Sequence, residues 1–585
     1  MPVASPTSSG RACAVSTADP LVSAAHRRWQ THGMGATSTH EVVNQPPPLA
    51  GYDVFTADAA LVDAAQREGA AWAIDGLIDL GRLAGGEEAI EWGRLANVNP
   101  PLLRTHDRFG HRIDEVEFHP AYHELLRTAL EHGLHAAPWA TPRAGAHVAR
   151  AMGFYVWTQV EAGHGCPVSM TYSAVPALRA APELAAAWEP RLLSRTYDRR
   201  ARPVTEKTGA TCGMAMTEKQ GGSDVRANTT SAQPASSATG PGGAYLLTGH
   251  KWFCSAPMCD AFLVLAQAPR GLSCFLLPRW LPDGTRNRMH LQRLKDKLGN
   301  RSNASSEIEL SGAWATMVGD EGRGVPTIIE MVNHTRLDCV IGAAAGMRQA
   351  VAQATHHAAH RTAFGRLLVE QPLMMNVLAD LAVESEAATV TMTRLAAAYD
   401  AAAAGDEREA AFKRLATAVV KYWVCKRQPP HAAEALECLG GNGYVEDSIM
   451  PRLFRESPLN GIWEGSGNVI CLDVLRAIRR EPASLEAFLD EVGLAGDADH
   501  RLDEARRCLE AELNDLDGIE ARGRRVVERM ALLLQASLLV RHSPAAVADA
   551  FCASRLAGDS GRAFGTLPSG TDGQAIVARA RPLVA

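Results

Sequence analysis

Hydrophobic rhythm changes twice along this chain, and those two changes bound what it can fold into. From about residue 55 to 200 apolar residues recur at helical spacing. In AGAHVARAMGFYVWTQVEAG, Val148, Met152, Tyr155 and Gln159 or Val160 fall on one face, and Gly163 lies past the end. Near residue 205 the texture becomes short β-type runs separated by Gly, Pro and Asn: YLLTG (245–249), AFLVLAQA (261–268), SCFLLP (273–278) and EIEL (307–310). After Gly324 long helical stripes return, one carrying Leu373, Val377 and Leu381, another Phe412, Ala416, Val419 and Trp423. From about 483 a last helical region buries Val526, Met530 and Leu533. The expected fold is mainly α with a small central β domain. Its segments are a flexible extension (1–40), an N-terminal helical domain (41–205), a β domain (206–322), a helical bundle domain (323–482) and a C-terminal helical domain (483–585).

At 585 residues the chain can bury a large core, and 46% hydrophobic with 21% charged residues is ordinary for a soluble protein. A net charge of −6 gives no global basic signal for nucleic acid or membrane. Twelve cysteines without any C-x-x-C pair suit reduced thiols better than disulfides or a zinc site, so no metal is expected. No apolar run reaches the ~18 residues needed to span a bilayer, and from the small, polar start no secretory leader is expected. The expected compartment is the cytoplasm.

Chemistry concentrates in five segments. GMAMTEKQGGSDVRANTT (213–230) crowds glycines and hydroxyls at the junction between the helical and β regions, and TGHKWFCSAP (248–257) follows the first β run. A flavin needs an apolar wall, partners for its pyrimidine edge, and amides and hydroxyls near its pyrophosphate. Thr217, Gly221, Gly222 and Ser223 could supply the polar part, and Trp252, Phe253 and Ser255 the wall. Neither segment is a phosphate loop or a Rossmann fingerprint, and each taken alone is equally a plain strand–turn. In NGIWEGSGNVICLDVLR (460–476), Glu464 stands beside Trp463 with no other ionisable group until Asp473. If buried it is a general base with a raised pKa; otherwise it is a solvated loop residue. HRTAFGRLLVEQP (360–372) carries Arg361 and Gln371 around a turn, and ECLGGNGYVED (437–447) offers three glycines for a close backbone approach.

In this order the segments resemble the acyl-CoA dehydrogenases. TEKQGGSD matches T-E-x-x-x-G-S-D, KWFCS matches K-x-W-I-T/S, RTAFG matches R-x-x-F-G, LGGNGY matches G-G-x-G-Y, and IWEGS matches I-Y-E-G-T/S. LANVNPPLLR, FHPAYH, CPVSMTYS and RLKDKLGNRSNASSEIEL resemble the AidB-like branch, related to isovaleryl-CoA dehydrogenase, whose extra C-terminal helical domain would account for residues 483–585. The resemblance implies FAD between the β domain and the C-terminal helices, with Met214, Thr217, Gly222, Ser223, Phe253 and Ser255 around it. Ile462, Trp463, Gly465, Ser466 and Asn468 would close over it, and Arg361, Gln371 and Gly441 would reach a neighbouring subunit's FAD. Glu464 takes the place of the catalytic base and Arg336 that of its supporting arginine. The implied activity is α,β-dehydrogenation of a short or branched acyl-CoA with an external electron acceptor, in a homotetramer. The alternative is a DNA-associated flavoprotein of the alkylation response with little dehydrogenase activity.

Three departures bear on these expectations. Glu437 stands where many members have Gln, and Trp463 replaces the usual Tyr beside the base, narrowing the acyl channel. Residues 482–585 hold 12 Arg and no Lys against 16 Asp and Glu, a poor electrostatic match to DNA as a whole. Two clusters remain as DNA-binding candidates: Arg476, Arg479 and Arg480, and Arg522, Arg524, Arg525 and Arg529.

Overall fold

A computed structural model describes residues 39–515 and 517–583. Nearly all of the extension expected over 1–40 lies outside the described residues. Pro46–Ala585 form one unit, and the changes of rhythm along the sequence reappear in it as changes of architecture.

The first region is a stack of helices, including α1 (Ala146–Thr158) and α2 (Gly165–Leu178). Val148, Met152, Tyr155 and Val160 are buried in it. One part departs from the helical expectation. The strands β1 (Leu102–His106) and β2 (Arg112–Glu117) pair antiparallel. Pro100 and Pro101 stop the preceding helix, and Asp107 accepts from the N–H groups of Phe109 and His111 to close the turn, with Gly110 at φ +86°.

The β unit contains β3 (Cys212–Ala215), β4 (Ser231–Pro234), β5 (Ala244–Ser255), β6 (Ala261–Ala268), β7 (Gly271–Pro278), β8 (Met289–Leu294) and β9 (Ser305–Val318). The pairings β4–β5, β5–β9, β9–β7, β7–β6 and β6–β4 run full circle, so the sheet closes on itself around a core that includes Phe262, Val264 and Phe275. Closure explains why AFLVLAQA reads as a continuous apolar run: it is covered on both faces.

Three long helices then pack together: α3 (Gly324–His360), α4 (Pro372–Ala403) and α5 (Glu407–Glu437). The Phe412, Ala416, Val419 and Trp423 stripe is buried. The other stripe is only half realised. Leu381 is buried and Val377 partly so, but Leu373, in the first turn of α4, is 84% exposed. Beyond α6 (Gly467–Arg480) come α7 (His500–Asn514) and α8 (Ile519–His542). Val526, Met530 and Leu533 of α8 face inward, and the Trp423 indole donates to Gln535 Oε1 at 3.1 Å, tying α8 to α5. Arg555 bonds Asp380 and Glu384 on α4, fixing the C-terminal segment to the bundle.

Candidate functional site

Glu464 sits in the short connection before α6, and its backbone is held in a conformation that side chains rarely adopt, φ +59°. Two cations from different helices hold the loop there. Lys421, 1% exposed in the middle of α5, donates from Nζ to the carbonyls of Trp463 (2.9 Å) and Gly465 (2.5 Å). Arg336 on α3 donates from Nε to the carbonyl of Glu464 itself (3.0 Å) and from Nη1 to Asp473 Oδ2 (2.7 Å). Three consecutive carbonyls are thus clamped, and the strained turn is fixed by contacts around it. Arg336 therefore supports Glu464 through the main chain rather than by pairing with its carboxylate.

The carboxylate is aimed by Thr335, whose hydroxyl donates to Glu464 Oε2 at 2.8 Å. Desolvation pushes the Glu464 pKa above the ordinary carboxylate value, opposed by the Thr335 hydrogen bond and by the Lys421 and Arg336 charges. That environment suits a group that must take a proton near neutral pH. Sequence reasoning misses Thr335 and Lys421; the signal for Thr335 is its place beside Arg336 in NHTRLD.

On the β side, Glu218 and Lys251 join the first two motif segments. Lys251 Nζ donates to Glu218 Oε1 at 2.8 Å, both side chains being fully buried, and Glu218 also accepts from the N–H groups of Thr229 and Thr230. Against the desolvation that would raise it, the Lys251 bond leads the contacts that hold Glu218 down at about 2. The T-E and K-x-W elements are therefore joined by one structural ion pair. Phe253 follows Lys251 on β5 and presents a half-exposed ring (48%). Ser255, two residues further, meets Ser305 Oγ at 3.2 Å, and Ser305 is held in turn by Lys297 Nζ at 2.9 Å. Burial lowers the Lys297 pKa to about 8. Cys166, at the start of α2, links the two halves: its thiol lies beside Ser255 and Asn303 and within electrostatic range of Lys297 and Glu464. Lys297, Ser305 and Cys166 are likewise missed by sequence reasoning.

The residues expected around FAD fit a polar group with an aromatic body. The hydroxyls of Thr217, Ser223 and Ser466 have no hydrogen-bond partner among the described residues, and Ser223 and Ser466 are exposed. A Cβ added at Gly222 would lie 2.4 Å from Thr217 Oγ1, so only glycine lets that hydroxyl stand clear. Ile462 is 64% exposed, and Met214, Trp463 and Gly465 are partly buried. Two side chains are already engaged. Asn468 Oδ1 accepts from Arg524 Nε at 2.8 Å, and Gln371 Nε2 donates to the Ala363 carbonyl at 3.1 Å, folding it back onto its own hairpin. Arg361 begins the two-stranded hairpin β10 (Thr362–Ala363) and β11 (Arg366–Leu367). Gly441 is exposed, and a Cβ added there would meet no described atom within 4 Å.

The basic clusters separate. Arg525 and Arg529 both bond Glu512 of α7, and Arg522 bonds Asp515. On that face, which the sequence offers either as a DNA patch or as a solvated helix side, Arg522, Arg525 and Arg529 are thus engaged by acids of the preceding segment. At the end of α6, Arg479 and Arg480 are exposed with no ion pair among the described residues, and Arg476 meets only Asp473, at 3.8 Å.

Comparisons with known proteins agree with this arrangement. The profile of the adaptive response protein AidB N-terminal domain matches residues 44–199, that of the acyl-CoA dehydrogenase middle domain 213–313, and that of the acyl-CoA dehydrogenase C-terminal domain 322–479. AidB of Escherichia coli (strain K12) is 45% identical over 520 residues, covering 88% of this chain and 94% of that protein. The structure of Caenorhabditis elegans ACDH-11 in complex with C11-CoA superposes with a TM-score of 0.79 at 27% identity, covering 91% of this chain and 95% of that one. Bd2924 in its apo form gives 0.78 at 29% identity, with 85% and 99% covered. The chain belongs to the acyl-CoA dehydrogenase family, in its AidB-like branch.

Proposed function

We propose that this protein is an FAD-dependent dehydrogenase that desaturates an acyl thioester between its α- and β-carbons, with Glu464 as the base. The observation that carries the reading is Glu464 itself: a carboxylate raised by desolvation, aimed by Thr335, on a turn clamped at three successive carbonyls. FAD is the cofactor of this family and supplies the hydride acceptor. Thr217 and Ser223 would meet its pyrimidine edge and pyrophosphate, Phe253 would cover the ring, and Ser255, set by Ser305 and Lys297, would lie near the reacting edge. Glu464 takes the α-proton onto its carboxylate. Trp463 beside it narrows the acyl channel, which favours a short or branched chain, and ACDH-11 is known with C11-CoA, so a branched short-chain acyl-CoA and C11-CoA are the two probes.

Assembly into a homotetramer is part of the proposal. Phe364 is fully exposed, Leu373 84% and Tyr444 80%, and these sit on or next to the segments expected to reach a neighbour's FAD. Light scattering should give about 250 kDa, four chains of 62.6 kDa. The turnover test replaces Glu464 with Gln in FAD-loaded protein. The expected loss is about 10²-fold or more with FAD content unchanged; undiminished turnover would remove Glu464 from the chemistry. A second reading, duplex DNA association, is supported by the exposed Arg479 and Arg480, which have no ion pair among the described residues, beside Arg476, and it rests on those three rather than on the acid-paired face of α8.

A further inference from the structure

A second cavity, of about 350 Å³, lies between the N-terminal helices and the β unit. Pro167 and Ala256 line it, and these directly follow Cys166 and Ser255, so the cavity adjoins the candidate active site along those two segments. One side of its lining is apolar and aromatic, and the other carries charged side chains. Leu126 and Leu130 are buried there, and Phe118 stacks on Tyr122 with centroids 4.3 Å apart at 12°. None of the cofactor-site residues named above contributes to it.

The charges around the cavity do not cancel within the protein. Its three acids are all engaged: Asp260 by Lys207 (2.5 Å) and the Thr211 N–H, Asp198 by Arg200 and the Thr208 N–H, and Glu115 by Arg286 at 3.4 Å. Two cations are left over. Arg279 is only 7% exposed, and its guanidinium makes two weak contacts, from Nη1 to Met258 Sδ and from Nη2 to the Asp114 carbonyl, each at 3.4 Å. Arg199, exposed at the rim, has no hydrogen bond or ion pair among the described residues. Asp260 and Glu115 act on that Arg279 guanidinium only through space, and a buried guanidinium without a direct partner for its N–H groups is costly unless something else satisfies it. The neighbouring His123 gives no positive charge at neutral pH. Burial holds its pKa near 4, and its Nδ1 lies 2.8 Å from the Tyr197 hydroxyl.

We propose that this cavity is a binding site for a small arylalkyl carboxylate, its ring against Phe118 and Tyr122 and its carboxylate on Arg279 and Arg199. The volume lies at the small end of ligand pockets, which matches one ring and a short chain. The aromatic lining favours a ring over a flexible alkyl chain, and two guanidiniums favour a carboxylate over a neutral head. The site is separate from the acyl-CoA chemistry and does not depend on it.

Calorimetric titration of the FAD-loaded protein with 3-phenylpropionate tests the assignment. Binding is expected, with 3-phenylpropanol and propionate each about tenfold weaker or worse, because one lacks the charge and the other the ring. Arg199→Gln, a surface change that leaves the fold alone, should weaken binding several-fold. Arg279→Gln should weaken it about tenfold, and Leu126→Trp, which fills the cavity, should abolish it. Saturating C11-CoA should leave 3-phenylpropionate binding unchanged. No binding, binding indifferent to Arg199→Gln and Arg279→Gln, or displacement by C11-CoA, which would make the cavity part of the acyl channel, would each overturn the proposal.

Discussion

Replacing Lys421 with methionine removes the clamp on the Glu464 turn while keeping a long apolar stem in its place. The lysine makes two bonds to main-chain carbonyls, at 2.9 and 2.5 Å, and hydrogen bonds to charged groups contribute about 1.5–3 kcal/mol each. Methionine also spares the protein the burial of an ammonium at a position 1% exposed. The net loss should therefore be about 2–4 kcal/mol, below the plain sum of two bonds. The φ of +59° at Glu464 holds a further ~1–3 kcal/mol of backbone strain, which the freed turn can release by leaving the left-handed region. Glycine at 464 costs nothing there, so Lys421→Met and Glu464→Gly should be non-additive by about 0.5 kcal/mol or more. Denaturant midpoints at constant slope measure the stability change, and amide exchange at residues 462–466 reports whether the turn itself opens. A midpoint within about 0.5 kcal/mol of the parent, additive with Glu464→Gly and with no faster exchange, would refute the clamp.

Lys251→Met should cost about 3–5 kcal/mol, because it leaves the buried Glu218 carboxylate without its cation; thermal unfolding checks this, and an unchanged midpoint would contradict it. Glu456 is pushed up to about 7 by burial and then by the Glu161 charge. Below pH 4.5 it is protonated folded or unfolded. Between 4.5 and 7 only the unfolded chain ionises, so stability falls as pH rises and levels off above 7. Glu456→Gln should remove that slope and gain up to roughly 3 kcal/mol at pH 8, read as denaturant midpoints at pH 5 and 8; equal differences at both would count against it. Changing Arg476, Arg479 and Arg480 together to Glu should abolish salt-sensitive duplex DNA binding at about 50 mM salt, whereas Arg525→Glu should alter it little, since Arg525 is held by Glu512; filter binding against salt decides.

Much of the architecture is legible because helical and alternating runs report which face is buried, as with Val148, Met152 and Tyr155. The β1–β2 hairpin is not, since a two-strand pair inside a helical region leaves only a proline pair and one Asp–Gly turn as signals. Glu464 can be named from its motif, but not what holds it. Lys421 lies on an apolar helix where a lysine reads as solvent-facing, and its partners are 42 and 44 residues away. The pairing of the α8 arginines is hidden for a similar reason. Spacing shows that Arg522, Arg525 and Arg529 share a side, but not that Glu512 and Asp515 come to meet them.

Glu464 is placed to remove a proton from an acyl thioester beside a bound flavin. Anaerobic rapid mixing of FAD-loaded protein with a branched short-chain acyl-CoA and with C11-CoA, following the visible flavin absorption, decides whether it does. The colour should bleach in the parent with at least one of the two, and about 10²-fold or more slowly in Glu464→Gln at equal FAD content. Equal rates in the two proteins, or a chain that takes up no FAD, would contradict it.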